Sequence, residues 1–132
     1  HHYHAATWWK YRNLSNILHV HFTDLLNDLD GQMRRIAGFL EIPINNTLWP
    51  ELVRSVTFSE MRQNAEKRAP GADVGLWKST ENFFHRGNTG QWVGALDPEQ
   101  VNDYESVIRA SLEPALVSWL CHEGEFIDPK TV

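Results

Sequence analysis

Several features that mark particular classes of protein are scarce or missing in this sequence. One cysteine, Cys121, occurs in 132 residues, which excludes an intrachain disulfide and suits a reducing compartment. No apolar run approaches the roughly 20 residues that a membrane-spanning helix needs. The formal net charge is -5, which argues against a general nucleic-acid-binding surface. We therefore expect a cytoplasmic protein that binds neither membranes nor nucleic acids.

The sequence does contain enough apolar and aromatic material for one folded domain. Hydrophobic residues make up 42% of the chain and charged residues 22%, the proportions of an ordinary globular protein. Six tryptophans in 132 residues indicate a dense core or aromatic pockets. We expect residues 1–132 to form a single domain, because a chain of this length can bury a core of useful size.

Apolar periodicity predicts helices, one strand and one long loop. Residues 17–22 alternate apolar side chains with histidines, which is the period of a strand. Asp24 and Thr57 stand where N-caps would begin helices, and Asp97 precedes a proline suited to a first helical turn. The predicted helices are 5–12, 25–40, 48–56, 59–65 and 98–120, the last bent at Pro114. Residues 66–91 have weak periodicity and form the predicted loop.

The single predicted strand has a consequence for the rest of the fold, because one strand cannot make a sheet. A short strand between helices is typical of a βαβ unit whose neighbouring strands lie elsewhere. We therefore expect the partners of residues 17–22 to be missing from this chain or supplied by another chain.

Residues 83–92, with the sequence FFHRGNTGQW, are the most informative stretch for function. Glycines let backbone N–H groups approach an anion closely. An arginine presents a planar fork of donors that suits phosphate oxygens, and Arg86 directly precedes Gly87. The two phenylalanines that lead the stretch offer aromatic faces for a purine base. The alternative interpretation is an ordinary turn with a solvated arginine.

This stretch resembles the arginine-lysine-glycine, any two residues, glycine-aspartate-tryptophan signature of sulfotransferases that use 3'-phosphoadenosine 5'-phosphosulfate (PAPS). Residues 18–25 are similar to that family's strand ending in tyrosine-glutamate-aspartate-methionine, and residues 36–40 to its helix ending in phenylalanine-leucine. Residues 56–61 are similar to its helix start, threonine-serine-phenylalanine-lysine-glutamate-methionine. The likeness runs in order from around Trp8 to around Tyr104.

The resemblance implies an α/β fold of the P-loop-NTPase-like sulfotransferase type. This chain would be its mostly helical C-terminal half, with one parallel strand. In the family, the N-terminal half carries the phosphosulfate-binding loop and the catalytic histidine and lysine, and no such loop is found in this sequence. We therefore expect no catalytic residue here, and a chain that is inactive alone and completed by the missing half or by another chain.

The resemblance also implies which residues bind the nucleotide. In the family, a basic pair and a glycine bind the 3'-phosphate of PAPS. The resemblance assigns that role to His85, Arg86 and Gly87, with histidine in place of the usual arginine. The residues implied to lie near the adenosine are Phe22, Thr57, Phe58, Phe83 and Phe84. Among these, Phe58 has the best positional match. Val56 falls where the family often has a threonine that contacts the adenine amine, so that contact would be absent here or made by Thr57.

The implied reaction is in-line transfer of a sulfuryl group from PAPS to a hydroxyl or amine, without a metal. PAPS is the co-substrate, adenosine 3',5'-bisphosphate (PAP) is the product, and the acceptor is a small molecule, a peptide or a glycan. We expect the segment 66–82 to border the acceptor, with Trp77 as a wall.

Two alternatives belong to other functional classes. One is a non-catalytic helical interaction module derived from the same fold, which would have no reason to bind PAP. The other is a zinc site, because His19 and His21 share one face of the predicted strand and His4 lies nearby in sequence. No cysteine or carboxylate lies at ligand spacing around these histidines, and so we expect no metal.

Overall fold

The computed structural model describes residues 2–71, 73–76, 79–84, 86–122 and 124–132. These residues form α1 (His2–Trp9), α2 (Phe22–Asn27), α3 (Leu29–Phe39), α4 (Trp49–Ser55), α5 (Phe58–Gln63), α6 (Ala65–Arg68), a 3-10 helix (Thr80–Phe83), α7 (Pro98–Ser111) and α8 (Pro114–Leu120). The chain divides into a first unit, His1–Gln32 with Gly90–Val132, and a second unit, Met33–Thr89. Within the described ranges, no helix combines the length and the apolar character needed to cross a membrane.

The core of the first unit joins α1, α7 and α8. Trp9 lies against Trp119 with ring centroids 5.4 Å apart, and the Arg12 guanidinium lies 4.6 Å from the Trp9 ring centroid. The buried apolar residues of this core are Trp9, Ile108, Leu112, Leu116, Val117 and Trp119. Two of the tryptophans therefore lie in a dense core, as their number in the sequence suggests.

The boundaries of α7 and α8 confirm the sequence prediction. The Asp97 carboxylate accepts a hydrogen bond from the Gln100 backbone N–H at 2.9 Å, and the Gln100 side-chain oxygen accepts one from the Asp97 N–H at 3.0 Å. This reciprocal pair is a capping box and fixes where α7 begins. Pro114 begins α8, and the residue before a proline disfavours helical backbone, so the chain breaks between the two helices.

The second unit has a small core around α5 and α6. Ala65, Ala69 and Phe84 are buried, and Phe58 and Met61 pack against them. Thr57 is the N-cap of α5, which confirms its predicted role. The segment 66–91, predicted as a long loop, contains helical structure, because most of α6 and the 3-10 helix fall within it.

The strand predicted for residues 17–22 is not confirmed. Residues 17–21 have no regular secondary structure, and Phe22 is the first residue of α2. Across the described ranges, the β-pairing present is an isolated bridge between Val93 and Leu96. A strand is defined by hydrogen bonds to a neighbouring strand. The described part of the chain is therefore helical, and it does not show the β component of the predicted α/β class.

The long helix predicted after that strand is two helices. The N-cap of α2 is His21, whose Nδ1 accepts a backbone N–H two residues on at 3.2 Å. Asp28 ends α2, and its carboxylate accepts the Gly31 N–H at 2.9 Å in the first turn of α3. A side chain that bonds to nearby backbone interrupts a helix in this way. The predicted cap, Asp24, lies instead inside the first turn of α2 and is buried.

Candidate functional site

Three of the phenylalanines predicted to lie near adenosine meet in the second unit. The ring centroids of Phe58 and Phe84 are 6.3 Å apart and those of Phe83 and Phe84 are 5.0 Å apart. Both pairs are edge-to-face, which is a favourable arrangement of aromatic rings. Phe84 is 8% exposed and belongs to the core, whereas Phe83 is 42% exposed. Phe83 and the half-buried Phe58 therefore present the rings that a base can reach, and Phe84 supports them.

Gly87 lies against the ring of Phe58. Its φ of +62° lies in the left-handed region, which side chains rarely adopt. A Cβ at this position would lie 2.3 Å from Phe58 Cδ2 and 2.5 Å from Phe58 Cγ, distances that no real Cβ contact shows. Both the backbone angle and the close approach therefore require glycine. This contact joins the two sequence stretches 56–61 and 83–92 that suggested a nucleotide site.

The predicted phosphate-binding residues are described only in part. Arg86 is exposed and directly precedes Gly87, so a permanently cationic side chain lies one residue from the Phe58 contact. His85, which was predicted beside it, lies outside the described residues, as does Trp77.

Thr57 holds its position through two hydrogen bonds of its hydroxyl group. The hydroxyl donates to the Arg54 carbonyl at 2.8 Å and accepts from the Glu60 N–H at 3.4 Å. The Ser59 hydroxyl lies 3.2 Å away. A hydroxyl has one donor and two acceptor lone pairs, so an adenine amine would have to share the remaining lone pair with Ser59.

A cavity of ≈ 480 Å³ lies beside this cluster in the second unit, between the end of α5, α6 and the start of the 3-10 helix. Its lining is mainly polar and includes Arg62, Asn64, Glu66, Lys67 and Thr80. Polar groups that converge in a concave site fix the orientation of a hydrogen-bonding ligand. Part of the segment predicted to border the acceptor therefore lines a polar cavity.

Phe22, the remaining predicted adenosine residue, belongs to the first unit. It begins α2 and is 52% exposed. Its aromatic face is therefore available to a ligand, although its contribution to nucleotide binding stays a prediction.

The histidines do not form the group considered for zinc. Among the described residues, His4 lies near the Trp8 ring and His19 lies near the rings of Trp9 and Trp119. His21 lies instead with Asp24 and His122, and their possible ligand atoms fall within 4.8 Å of one another. Sequence reasoning missed this cluster because Asp24 and His122 are 98 positions apart and no local spacing connects them.

Comparison with known proteins identifies related sequences. The family model described as a sulfotransferase domain matches residues 1–115. A glycolipid sulfotransferase of Mycobacterium bovis is 33% identical over 119 residues, which cover 90% of this chain and 36% of the relative. Sulfotransferase 1C2 of Homo sapiens is 20% identical over 117 residues, covering 88% of this chain and 40% of the relative.

A third relative is the amine sulfotransferase of Oryctolagus cuniculus, which is 23% identical over 113 residues and covers 83% of this chain and 38% of the relative. The chain thus spans well under half the length of these curated relatives. No solved structure matches it significantly.

Proposed function

Because this chain belongs to the sulfotransferase family, we propose that it binds the 3'-phosphate and adenosine of PAPS. Family membership implies the P-loop-like sulfotransferase fold. On the sequence resemblance alone, the chain would supply the C-terminal portion of that fold. The observation that carries the proposal is the contact between Gly87 and Phe58. It brings a stretch with phosphate-binding chemistry against an aromatic ring that can stack on a base.

The 3'-phosphate would be held by the stretch that contains Arg86. The guanidinium provides charge-assisted, bidentate hydrogen bonds to phosphate oxygens. The glycine at position 87 removes the side chain that would otherwise separate the backbone from the anion or from Phe58. His85 would add a second donor, and a second positive charge when protonated.

The adenine would lie against Phe58 and Phe83. Phe83 is 42% exposed, whereas Phe84 is buried and packs edge-to-face with both Phe58 and Phe83. Thr57 would contribute through the lone pair that it shares with the Ser59 hydroxyl. Phe22 is retained as a further adenine contact on the strength of the sequence resemblance.

The reaction forms a bond between the acceptor oxygen or nitrogen and sulfur, and breaks the bond between sulfur and the phosphate oxygen of PAPS. PAP leaves, and the acceptor's proton passes to a base, which the sequence resemblance assigns to the family's N-terminal half. Cationic side chains that meet the developing charge lower the barrier of such in-line transfers.

We favour a hydroxyl of a glycan-bearing acceptor over an amine. The relatives that are 33% identical are named glycolipid sulfotransferases, whereas the relative named amine sulfotransferase is 23% identical. The polar lining of the cavity beside α6 also suits a ligand rich in hydroxyl groups.

The test compares nucleotide binding by Arg86→Ala and by a control, Arg109→Ala. Arg109 is also an exposed arginine, and its surface ion pair with Glu105 contributes little. A hydrogen bond to a charged group contributes about 1.5–3 kcal/mol, so Arg86→Ala should weaken PAP binding roughly 10- to 150-fold in calorimetric titration. Arg109→Ala should bind PAP like the unmodified chain.

A second ligand separates phosphate recognition from general loop support. Adenosine 5'-phosphosulfate lacks the 3'-phosphate, and its affinity should not change in Arg86→Ala. Equal losses for both nucleotides would show that Arg86 does not bind the 3'-phosphate. Absence of saturable PAP binding by the unmodified chain would favour the non-catalytic interaction module.

A further inference from the structure

Three ionisable side chains from distant parts of the chain meet in the first unit. The Nε2 atom of His122 lies 2.7 Å from Asp24 Oδ1, and 6% of the His122 side chain and 3% of the Asp24 side chain are exposed. The ring of His21 lies beside that of His122, with centroids 4.3 Å apart. Sequence resemblance assigns no role to this cluster, and it lies in a different unit from Phe58 and Gly87.

The hydrogen bonds of the cluster determine where its protons lie. His122 Nδ1 is 2.6 Å from the Trp119 carbonyl oxygen, which can only accept, and so Nδ1 carries a proton. His122 Nε2 faces the Asp24 carboxylate and carries a second proton when Asp24 is ionised. His122 is then an imidazolium that donates at both nitrogens.

His21 has the opposite arrangement. Its Nδ1 accepts the Thr23 backbone N–H at 3.2 Å, and so Nδ1 carries no proton. Its Nε2 lies 3.2 Å from the Leu120 carbonyl oxygen and therefore donates. His21 is a neutral imidazole with both nitrogens engaged.

These bonds argue against reading the cluster as a metal site, although two histidines and a carboxylate are common metal ligands. A metal ion on His21 Nε2 would displace the proton donated to Leu120 and leave an imidazolate, since Nδ1 accepts the Thr23 N–H. A metal ion on Nδ1 would instead displace the Thr23 N–H and remove the cap of α2. The cluster is thus arranged to hold a proton.

We propose that His21, Asp24 and His122 form a hydrogen-bonded cluster that links the end of α8 to the beginning of α2 and depends on one proton, the second proton of His122. We call this cluster the clasp. Two hydrogen bonds join the N-cap and first turn of α2 to residues 119–122, His21 to the Leu120 carbonyl and His122 to Asp24. The bond from His122 to the Trp119 carbonyl fixes the orientation of the His122 ring. The clasp closes when His122 is charged and His21 is neutral, and it opens when His122 loses its proton or His21 gains one.

The electrostatics of the site agree with this arrangement. Burial lowers the pKa of His21 from its ordinary value of 6.5, and the charge of His122 lowers it further, against the raising effects of the Leu120 carbonyl and Asp24. Burial also disfavours the charged form of His122, but its bonds to Asp24 and Trp119 outweigh burial and raise its pKa above 6.5.

Within the described residues, Asp24 on α2 is the charged group that acts on His122, and Asp24 and His122 are those that act on His21. From α8, the backbone carbonyls of Trp119 and Leu120 provide the contacts.

The signs of the two pKa shifts predict a maximum of stability near pH 6.5. The stability that His122 contributes is complete below 6.5 and is lost as pH rises through its higher folded-state pKa. The stability that depends on neutral His21 is present above 6.5 and is lost as pH falls through its lower folded-state pKa. The free energy of unfolding should therefore fall on both sides of this pH.

The experiment measures urea unfolding of the chain between about pH 5 and 9, the range in which histidines titrate. The unfolding constant should rise on the alkaline side about tenfold for each unit by which the folded pKa of His122 exceeds 6.5. His122→Gln keeps a donor but cannot titrate, so this variant should no longer lose stability as pH rises above 6.5. His21→Asn keeps a good N-cap, and this variant should no longer lose stability as pH falls below 6.5.

The exposed His4 provides the matched control, and His4→Gln should still lose stability on both sides of pH 6.5. Direct evidence comes from ¹⁵N NMR of the unmodified chain near pH 6.5, which should show His122 protonated at both nitrogens and His21 at Nε2 alone. A neutral His122, an unchanged pH profile in His122→Gln, or a melting temperature that responds to EDTA or zinc would each overturn the clasp.

Discussion

Replacing Gly87 with alanine is the sharpest test of the contact on which the proposed nucleotide site depends, because it adds a single methyl group. In this structure the added Cβ would lie 2.3 Å from Phe58 Cδ2, 2.5 Å from Cγ and 2.6 Å from Cε2. Since Cγ is near the root of the side chain, rotating the ring tip cannot relieve the contact. Phe58 or the backbone at position 87 must move.

The expected cost has two parts. Alanine in the left-handed region costs about 1–2 kcal/mol. Forcing an extra methyl group into a packed site costs a further ~1–3 kcal/mol. Gly75→Ala is the matched control, because Gly75 has a φ of +67° in the same unit but no atom within 4 Å of its added Cβ. Gly75→Ala should therefore show the first cost without the second.

Urea unfolding of both variants measures the difference. Gly87→Ala should lose about 1–3 kcal/mol more stability than Gly75→Ala. It should also weaken PAP binding, since Phe58 is displaced, whereas Gly75→Ala should bind PAP normally. Equal destabilisation of the two variants would refute the packing of Gly87 on Phe58 and remove the main support for the site.

Two further predictions concern the same unit. Phe84→Ala should lower the free energy of unfolding by about 3–5 kcal/mol in urea, because Phe84 is buried. Phe83→Ala should mainly weaken PAP binding, by the ~1–3 kcal/mol of a lost stacking contact. Loss of stability in Phe83→Ala and of PAP binding in Phe84→Ala would contradict this assignment. Thr57→Ala should lower the free energy of unfolding by about 1 kcal/mol, because the N-cap of α5 is lost, while Thr57→Ser should retain most of that stability. An unchanged urea midpoint in Thr57→Ala would show that the cap is dispensable.

Local signals in the sequence were sufficient for some elements of the fold. The capping residues Asp97 and Thr57 and the break before Pro114 were predictable because each depends on side chains within three residues of the boundary. The two stretches that meet at Phe58 and Gly87 were recognisable by resemblance, although their contact required the folded chain.

Other features could not be predicted because they depend on distant partners. Residues 17–21 have the alternation of a strand, but a strand also needs a neighbour, and no neighbouring strand is present among the described residues. Asp24 was predicted as a cap because helix signals follow it, and its actual partner, His122, is 98 positions away. Asp28 divided the predicted long helix through a bond to Gly31 that competes with helical pairing.

The central claim is that this chain recognises the 3'-phosphate of an adenosine nucleotide. Calorimetric titration of the unmodified chain with PAP and with adenosine 5'-monophosphate tests it most directly, since the two ligands differ by that phosphate alone. We predict saturable binding of both, with PAP bound roughly 10- to 150-fold more tightly, the equivalent of one hydrogen bond to a charged group. Equal affinities for the two nucleotides, or no saturable binding of PAP, would contradict the account.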